Sequence, residues 1–477
     1  MNTSSTPQSY NRYLLIIAGL GGLLYGIDFG VISVAMPYIK ALGLYSDMHV
    51  SWIVGGTMLG GIVASATAGW MCDFFGRKTM ILFGTLLFLL AIPIVCLSGT
   101  SLAIMMTGRI LQGMSAGYMA VVMPMYLAEC LDAGARGRGT GIFQLLLGIG
   151  LVAAALSGVI IAAIYGASDA AAEQVSAAAK EIAWRVAFWW TLIPVAILFF
   201  GAFKLKESPR WLFKRGREAE ALDALAAANG PEKAAEILAE IKATSAAETK
   251  SATTGGKGSL LQRKYVVPFL LALLVLTFNK TIGMSSILAY AVRLFQQAGL
   301  SGALANWGDV SLKAINLLVT FVAVALVERK GRTWLLKVGT AGLTLGLFII
   351  GALFLAIERS WIAASTTNGF ITLAAFLAMQ TCYSLGPGIC VWLVLSELMP
   401  TRIRANGMAI ALFSNQFVAW GLASCFFPMV NAWGYGPVFF MFAATGVLYF
   451  LTALFIPETK GKTLEEIEAM WDAKKPR

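Results

Sequence analysis

The sequence is poor in charge and almost without histidine. Only 13% of its 477 residues are charged, against about 25% in an average soluble domain. It has a single histidine, His49, and its six cysteines lie apart in apolar stretches with no CxxC pair. This leaves no histidine-ligated metal site, no histidine-based catalytic triad and no cysteine pair at metal-ligand spacing. The sequence therefore predicts neither an enzyme nor a protein with a bound metal or cofactor.

Long apolar runs make up most of the chain instead. Hydrophobic residues account for 58% of it, and the mean hydropathy is +0.75. A helix needs about 20 largely apolar residues to cross a membrane. The predicted spans are Tyr13–Pro37, Val50–Met71, Thr79–Leu97, Leu102–Ala128, Thr140–Tyr165, Trp184–Phe203, Lys264–Tyr290, Val310–Val327, Thr333–Ile357, Phe370–Leu395, Asn406–Val430 and Pro437–Ile456. The prediction is an all-α membrane protein with twelve transmembrane helices in a lipid bilayer.

Basic residues are shared unevenly between alternate loops. The loops around Arg77, Arg136, Arg332 and Arg404 fall on one side, together with both termini and a long central segment. Cytoplasmic loops of membrane proteins carry the excess of Lys and Arg. We therefore expect both termini in the cytoplasm and the chain in the plasma membrane, the inner membrane in a Gram-negative bacterium. The net charge of +11 then reflects these loops and does not indicate nucleic-acid binding.

The central segment divides the chain into two halves. The expected domains are a cytoplasmic N-terminus (1–12), a six-helix bundle (13–203), a cytoplasmic segment (204–263), a second six-helix bundle (264–456) and a cytoplasmic tail (457–477). Within the central segment, two short amphipathic helices are predicted on either side of Asn229-Gly230-Pro231. Ser245 to Ser259 is rich in small and polar residues and is predicted to be a flexible linker.

Motifs in the first half recur in the second half in the same order. The first half contains "DFFGRK", "AECLDAGAR" and "KESPRW", and the second half contains the corresponding motifs "ERKGRT", "SELMPTRIR" and "PETKGK". Ordered matches of this kind indicate an internal duplication. Two duplicated halves with a site between them are typical of secondary transporters.

The repeated motifs place charges at the same end of both halves. The candidate gating residues are Asp73, Arg77, Glu129 and Arg136 in the first half and Glu328, Arg332, Glu397 and Arg404 in the second. Opposite charges at equal depth can pair when an inner gate closes and become hydrated when it opens. We interpret them as a gate. The alternative is that they are hydrated anchors that only orient the helices, and for the arginines both interpretations hold together.

One acid stands in the middle of the first span. Asp28 lies in "LLYGIDFGVIS", and no other charge occurs between Arg12 and Lys40. A carboxylate at mid-membrane costs about 2.5–3.5 kcal/mol, so we expect Asp28 to face a cavity. Its predicted partner is Arg109 in the fourth span. The two residues are either a reversible proton site or a permanent structural ion pair.

Six motifs extend this pattern over most of the chain. They are "GWMCDFFGRK", "GRILQGMSAGYMAVVMPMYLAE", "ESPRWL", "LVERKGR", "GPGICVW" and "PETKGKTLEEIE". As an ordered set, from about Leu14 to Trp471, they resemble the sugar porter family of the major facilitator superfamily. The resemblance implies two six-helix bundles that rock around a central cavity. Proton-coupled members carry Asp at the position of Asp28, paired with the Arg of span four, whereas passive facilitators carry Asn.

The resemblance also implies substrate contacts. Gln144 in span five, Trp392 in span ten and Asn415 in span eleven match sugar-binding positions of the family. Amides both donate to and accept from hydroxyl groups, and an indole packs on the C–H face of a sugar ring. Each could instead join helices to one another, and for Asn316 in span eight the two roles are equally compatible with the sequence.

Span seven departs from the family pattern. The family usually has a Gln pair and an Asn where this chain has Asn279, Lys280 and Ser285. Lys280 could pair with Asp28, be neutral, or bind an acidic substrate. In span six, Thr191 stands where one proton-coupled member has Glu. We predict a proton-coupled symporter of a sugar or related polyhydroxylated solute. A sugar-acid transporter using Lys280 and a non-transporting nutrient receptor remain as alternatives.

Overall fold

A computed structural model of the chain describes residues 7–131, 133–169, 175–253, 262–399, 403–460, 466 and 470. Over these residues the chain is helical, with no strand. The first half contains α1 (Pro7–Ala41), α2 (Asp47–Phe75), α3 (Arg77–Cys96), α4 (Leu102–Cys130), α5 (Ala133–Tyr165), α6 (Ala177–Trp189) and α7 (Leu192–Ala202). The central segment contains α8 (Pro209–Lys214), α9 (Glu218–Asn229) and α10 (Pro231–Thr253). The second half contains α11 (Arg263–Thr281), α12 (Met284–Ala289), α13 (Ala291–Gln297), α14 (Gly302–Lys330), α15 (Arg332–Glu358), α16 (Thr366–Leu385), α17 (Pro387–Leu398), α18 (Arg404–Trp433) and α19 (Tyr435–Phe455).

Twelve membrane spans are present in the described chain, which confirms the predicted all-α membrane fold. Three spans are broken into two helices, at Thr191 between α6 and α7, at Gly283 between α11 and α12, and at Gly386 between α16 and α17. Gly283 has φ 76°, and a Cβ on it would lie 2.3 Å from the Phe442 ring. Broken spans are common at transporter binding sites, because they free backbone polar groups at mid-membrane.

Small residues join α1 closely to α5. Gly22, Gly26 and Gly30 recur every four residues along α1 and face α5. A Cβ on Gly26 would lie only 2.0 Å from the carbonyl oxygen of Leu147, so the two backbones touch. Side chains two positions apart on a helix are separated by about 200° around its axis and so point in nearly opposite directions. Asp28 therefore points away from α5.

Equivalent carboxylates cap α3 and α15. Glu207 accepts the backbone N–H of Arg77 at 2.8 Å, and Glu458 accepts that of Arg332 at 3.1 Å. An anion at a helix N-terminus satisfies free N–H groups and complements the helix dipole. The predicted duplication is thus visible in the packing. We call the side that carries these caps and α8–α10 the terminal side, and the opposite side the distal side.

The central segment forms a small folded unit. Leu212, Leu225 and Leu238 lie in one buried cluster contributed by α8, α9 and α10. Gly230 ends α9 and Pro231 begins α10, as predicted. However, α10 continues to Thr253, so the first part of the segment expected to be a linker is helical. Helix-forming residues such as Ala, Glu and Lys dominate that part. Residues 254–261 lie outside the described chain.

Candidate functional site

A cavity of about 440 Å³, counting space open to solvent, lies between the two halves. Its lining residues are Tyr25, Asp28, Phe29, Thr57, Met58, Gly61, Gly113, Ala116, Gly117, Lys280, Ser285, Gln416 and Ala419. Helices α1, α2 and α4 form one wall, and α11, α12 and α18 form the other. Asp28 and Lys280 are the charged residues of this lining, and they lie on opposite walls.

Asp28 faces the cavity because the glycine-containing face of α1 packs against α5, which leaves the opposite face of α1 toward the cavity. The residue is only 4% exposed, and its Oδ1 has no hydrogen-bond partner within the described protein. A buried carboxylate without compensating hydrogen bonds strongly favours taking up a proton or a cation. The geometry therefore suits a site that gains and loses a proton.

Arg109 is buried nearby but does not contact Asp28. Its Nη1 donates to Gln112 Oε1 at 2.8 Å and its Nε donates to the Ile53 carbonyl at 3.2 Å. The guanidinium also lies over the Phe188 ring, 5.7 Å from its centre. The predicted Asp28–Arg109 ion pair is not formed in this structure, because the guanidinium is held by groups on α2 and α4. A part for Arg109 in proton coupling stays a prediction.

Lys280 lies in the last turn of α11, just before the break at Gly283. Its Nζ is 3.5 Å from Ser285 Oγ, and no described carboxylate forms an ion pair with it. The direct Lys280–Asp28 pair considered from the sequence is therefore not formed. The cavity instead presents the Lys280 amine and the Asp28 carboxyl on opposite walls, with no ion pair to either among the described residues.

Two amides predicted to bind substrate join helices in this structure, and substrate contact by them stays a prediction. Asn415 is 3% exposed and donates to the Leu276 carbonyl on α11 at 3.0 Å. Asn316 accepts from Gln380 and Ser384 on α16, at 2.9 and 2.7 Å. Intramembrane amides commonly stabilise helix contacts in this way. In this structure neither side chain is directed to the cavity.

Gln416, the neighbour of Asn415, lines the cavity. Sequence reasoning missed it because the family motif indicated Asn415. Consecutive residues on a helix point about 100° apart, and here the side chain of Gln416, and not that of Asn415, reaches the cavity. The three-residue spacing of Gln416 and Ala419, which share a face, is the signal that could have identified it.

The other predicted contacts lie outside the cavity lining. Gln144 on α5 is exposed, and Trp392 on α17 is 48% exposed. Asn279 is buried, with its Nδ2 unpartnered among the described groups. Thr191 is fully buried and donates to the Phe188 carbonyl at 2.7 Å, which supports the break between α6 and α7. Substrate contact by Gln144, Trp392 and Asn279 stays a prediction.

The predicted gating charges form one cluster in the first half. The Arg77 guanidinium makes two contacts with Glu129, at 2.9 and 3.0 Å, and one with Asp73 at 3.3 Å. Ser208 donates a further hydrogen bond to Glu129. These charges are therefore paired inside their own half.

The second half repeats this cluster. Arg332 Nε lies 3.3 Å from Glu397 Oε1, and Thr459 donates to Glu397 Oε2 at 2.5 Å. The side chains of Arg136, Glu328 and Arg404 lie outside the described residues. Pairing between halves on the terminal side thus stays a prediction.

Comparison with known proteins identifies the family. The sequence matches the family described as "Sugar (and other) transporter" over residues 14–471. The chain belongs to this family. Because the family consists of transporters, the prediction that the chain is not an enzyme is confirmed.

Individual sugar-transporter relatives match along almost their full length. The chain is 32% identical to the glucose transporter GlcP of Staphylococcus epidermidis, over 96% of this chain and 97% of that one. It is 28% identical to the arabinose-proton symporter of Bacillus subtilis, over 98% and 97%. Its fold matches the inward-open xylose transporter XylE from E. coli with a TM-score of 0.79 at 24% identity, over 96% and 99%. This likeness confirms the predicted major facilitator fold.

In this sugar-transporter family member, the distal side of the cavity is closed. Hydrogen bonds between described residues of the two halves all lie on that side. They include the bonds of Phe427 N with Ser51, Asn431 with Asp47, Gln296 with Ser168 and Gly302 N with Asp169. Lys40 from α1 and Arg293 from α13 both lie 4.7 Å from the Phe427 ring centre. The structure is therefore in a distal-closed state.

An ion pair buried in α14 completes this closure, and sequence reasoning missed it. Lys313 Nζ lies 2.7 Å from Asp309 Oδ2, with side chains 0% and 1% exposed. The predicted eighth span began at Val310 and left Asp309 outside the membrane, whereas α14 begins at Gly302. The four-residue spacing, which places opposite charges on one helix face, was the available signal.

Proposed function

We propose that this protein is a proton-coupled symporter of a sugar or related polyhydroxylated solute. The observation that carries the proposal is Asp28, a buried and unpartnered carboxylate in the wall of a cavity between two helical halves. The similarity to a glucose transporter and to an arabinose-proton symporter supports it. Protonation of Asp28 would neutralise its carboxylate, on the wall formed by the first half, when substrate binds.

We place the protein in the plasma membrane with the terminal side in the cytoplasm. The loops on that side contain most of the Lys and Arg residues, and cytoplasmic loops carry such an excess. The distal-closed state is then closed toward the cell exterior. Transport follows by alternating access, in which the distal contacts separate as contacts on the terminal side form.

A second candidate, a transporter of sugar acids, is favoured by Lys280. When a proton and a neutral sugar bind, the cavity gains one positive charge while Lys280 remains uncompensated. When a proton and an acid bind, the carboxylate balances the proton, and the cavity charge stays the same as in the empty carrier. Moving an uncompensated charge through the membrane is costly. Lys280 therefore favours a monoanionic substrate.

Both candidates can be tested with purified protein in proteoliposomes. The assays are counterflow of radiolabelled solute and its accumulation under a proton gradient, for monosaccharides and for their onic and uronic acids. Asp28→Asn should keep counterflow but lose accumulation, because a fixed neutral residue carries no proton. Lys280→Gln should weaken the binding of acids by roughly tenfold to a hundredfold, the worth of a hydrogen bond to a charged group, and leave neutral sugars unchanged.

Matched controls separate these effects from general damage. Asp223→Asn and Lys242→Gln change exposed residues of the central segment and should behave like the unmodified protein. Accumulation by Asp28→Asn would contradict the proton site. A neutral sugar that competes better than its acid in both the unmodified and the Lys280→Gln proteins would exclude the sugar-acid candidate. Binding without counterflow of any solute would favour a receptor instead.

A further inference from the structure

The buried ion pair on α14 depends on the other half of the molecule. The Lys313 ammonium donates to Asp309 Oδ2 at 2.7 Å, to Ser33 Oγ at 2.6 Å and to the Gly30 carbonyl at 3.3 Å. Ser33 Oγ lies 2.9 Å from Asp309 Oδ2 and 2.8 Å from the Gly30 carbonyl of its own helix, and its single O–H can donate to either acceptor. An ammonium has three N–H donors, and two of the three acceptors here belong to α1.

These contacts exist only while the distal side is closed. A buried ion pair is favourable only when further hydrogen bonds satisfy the charges, and α1 supplies them. When α1 and α14 separate, Lys313 loses two acceptors and Asp309 loses one donor, and water must replace them. An interaction made in one state alone shifts the population toward that state.

The position of the pair distinguishes it from the other distal contacts. The Asp47–Asn431 bond is exposed at the rim, whereas Asp309 and Lys313 are buried. Ser33 follows Asp28 by five residues on α1, a rise of about 7.5 Å. The ion pair therefore lies at a depth between the proposed proton site and the distal surface.

We propose that Asp309, Lys313 and Ser33 form a distal latch that holds the two halves together and sets the balance between the distal-closed and distal-open states. The latch goes beyond the function proposed above, because it acts on the conformational equilibrium whatever solute is carried. A purely structural ion pair within α14 would survive in both states and would leave that equilibrium unchanged.

Cysteine labelling of the purified full-length protein tests the latch. Met36 lines a small distal cavity together with Ser33 and Lys40, so Met36→Cys reports distal opening, in a background where the exposed Cys425 is Ser. Ser33→Ala, Lys313→Met and the double variant Asp309→Asn/Lys313→Met should each raise the rate of maleimide labelling. The expected increase is about tenfold for loss of the charge-assisted bonds. A second reporter, the native Cys72 buried within the first half, should stay protected from labelling in the same variants.

Two controls make the result decisive. Glu181→Gln removes an ion pair to Arg185 on α6, which lies within one half on the distal side, and should leave both reporters unchanged. Ser33→Ala preserves the ion pair, so it tests the contact between halves even if the charged variants fail to elute as a single folded species. Unchanged Met36→Cys labelling in Ser33→Ala would overturn the proposal. Faster labelling of Met36→Cys and of Cys72 together would indicate general loosening and would also overturn it.

Discussion

At the scale of single residues, Glu458 shows how one carboxylate positions a membrane helix. Partial burial by itself raises the pKa of Glu458, but surrounding backbone N–H groups, with Lys460 the largest contributor, together lower the pKa below its ordinary value of 4.5. The ionised form is therefore the one that caps α15. Its partner Arg332 then lies beside Glu397 in the cluster on the terminal side.

We expect Glu458→Gln to destabilise the protein in a pH-dependent way. A lowered pKa in the folded state means that the carboxylate stabilises the fold above pH 4.5, and that this contribution is lost as pH falls through the folded pKa. Loss of such a cap costs about 1 kcal/mol. Thermal unfolding in detergent should show the deficit at pH 7 and a smaller one below pH 4.5. A deficit of constant size across this range would contradict the prediction, and Glu220→Gln on the exposed face of α9 is the control.

At the scale of elements, the packing of α1 on α5 determines where Asp28 points. The glycine face of α1 lets the two backbones touch, and dispersion between close helices replaces the hydrophobic effect inside a bilayer. Any side chain on that face would push α1 away from α5 and rotate Asp28 out of the cavity wall. The packing of this one helix pair therefore positions Asp28 for the proton-coupling role proposed above.

Gly26→Ala should destabilise this helix pair and weaken coupling. The new Cβ would meet the Leu147 carbonyl at 2.0 Å, and overpacking of this kind costs about 1–3 kcal/mol. Gly69→Ala on α2 has no atom within 4 Å of the new Cβ, so the same substitution there should be neutral or slightly stabilising. Thermal unfolding and proton-driven accumulation, measured on both variants, test the difference. Equal behaviour of the two would mean that the α1–α5 contact does not position Asp28.

At the scale of the whole molecule, the two halves use the same charge cluster. Arg77, Glu129 and Ser208 in the first half correspond to Arg332, Glu397 and Thr459 in the second. Each cluster fixes a helix end on the terminal side of its own half. In the distal-closed state the clusters therefore stabilise the halves separately, which leaves them available for a gate when the terminal side closes.

Glu129→Gln and Glu397→Gln should each lower the stability of the protein by a similar amount, and the two effects should add. Each removes the carboxylate partner of one arginine, and sites in separate halves usually contribute additively within about 0.5 kcal/mol. If the clusters also form the gate, the counterflow rates of the double variant should depart from additivity, because both halves meet in the state closed on the terminal side. Additive counterflow rates would favour the interpretation as anchors. Unfolding midpoints and counterflow rates of the three variants provide the comparison.

Much of the architecture could be predicted because it depends on local properties of the chain. The twelve spans follow from runs of apolar residues long enough to cross a bilayer, and the duplication follows from repeated motifs. The cavity position of Asp28 followed from the cost of a charge in lipid. The helical start of Ser245–Ser259 was missed because small and polar residues suggested a linker, although Ala and Glu there also favour a helix.

The sequence by itself determined that this chain crosses the membrane twelve times, in two related halves, with an acid in the first span. The tertiary structure alone decided that Gln416 and not Asn415 faces the cavity, that Arg109 does not contact Asp28, and that Lys313 reaches Ser33. Membrane crossing depends on hydrophobicity summed over consecutive residues, and that sum can be calculated from the sequence alone. Side-chain partners depend on the rotation of each helix, where one residue changes the direction by about 100°, and on the relative placement of the two halves. Residues far apart in sequence are brought together only by that packing.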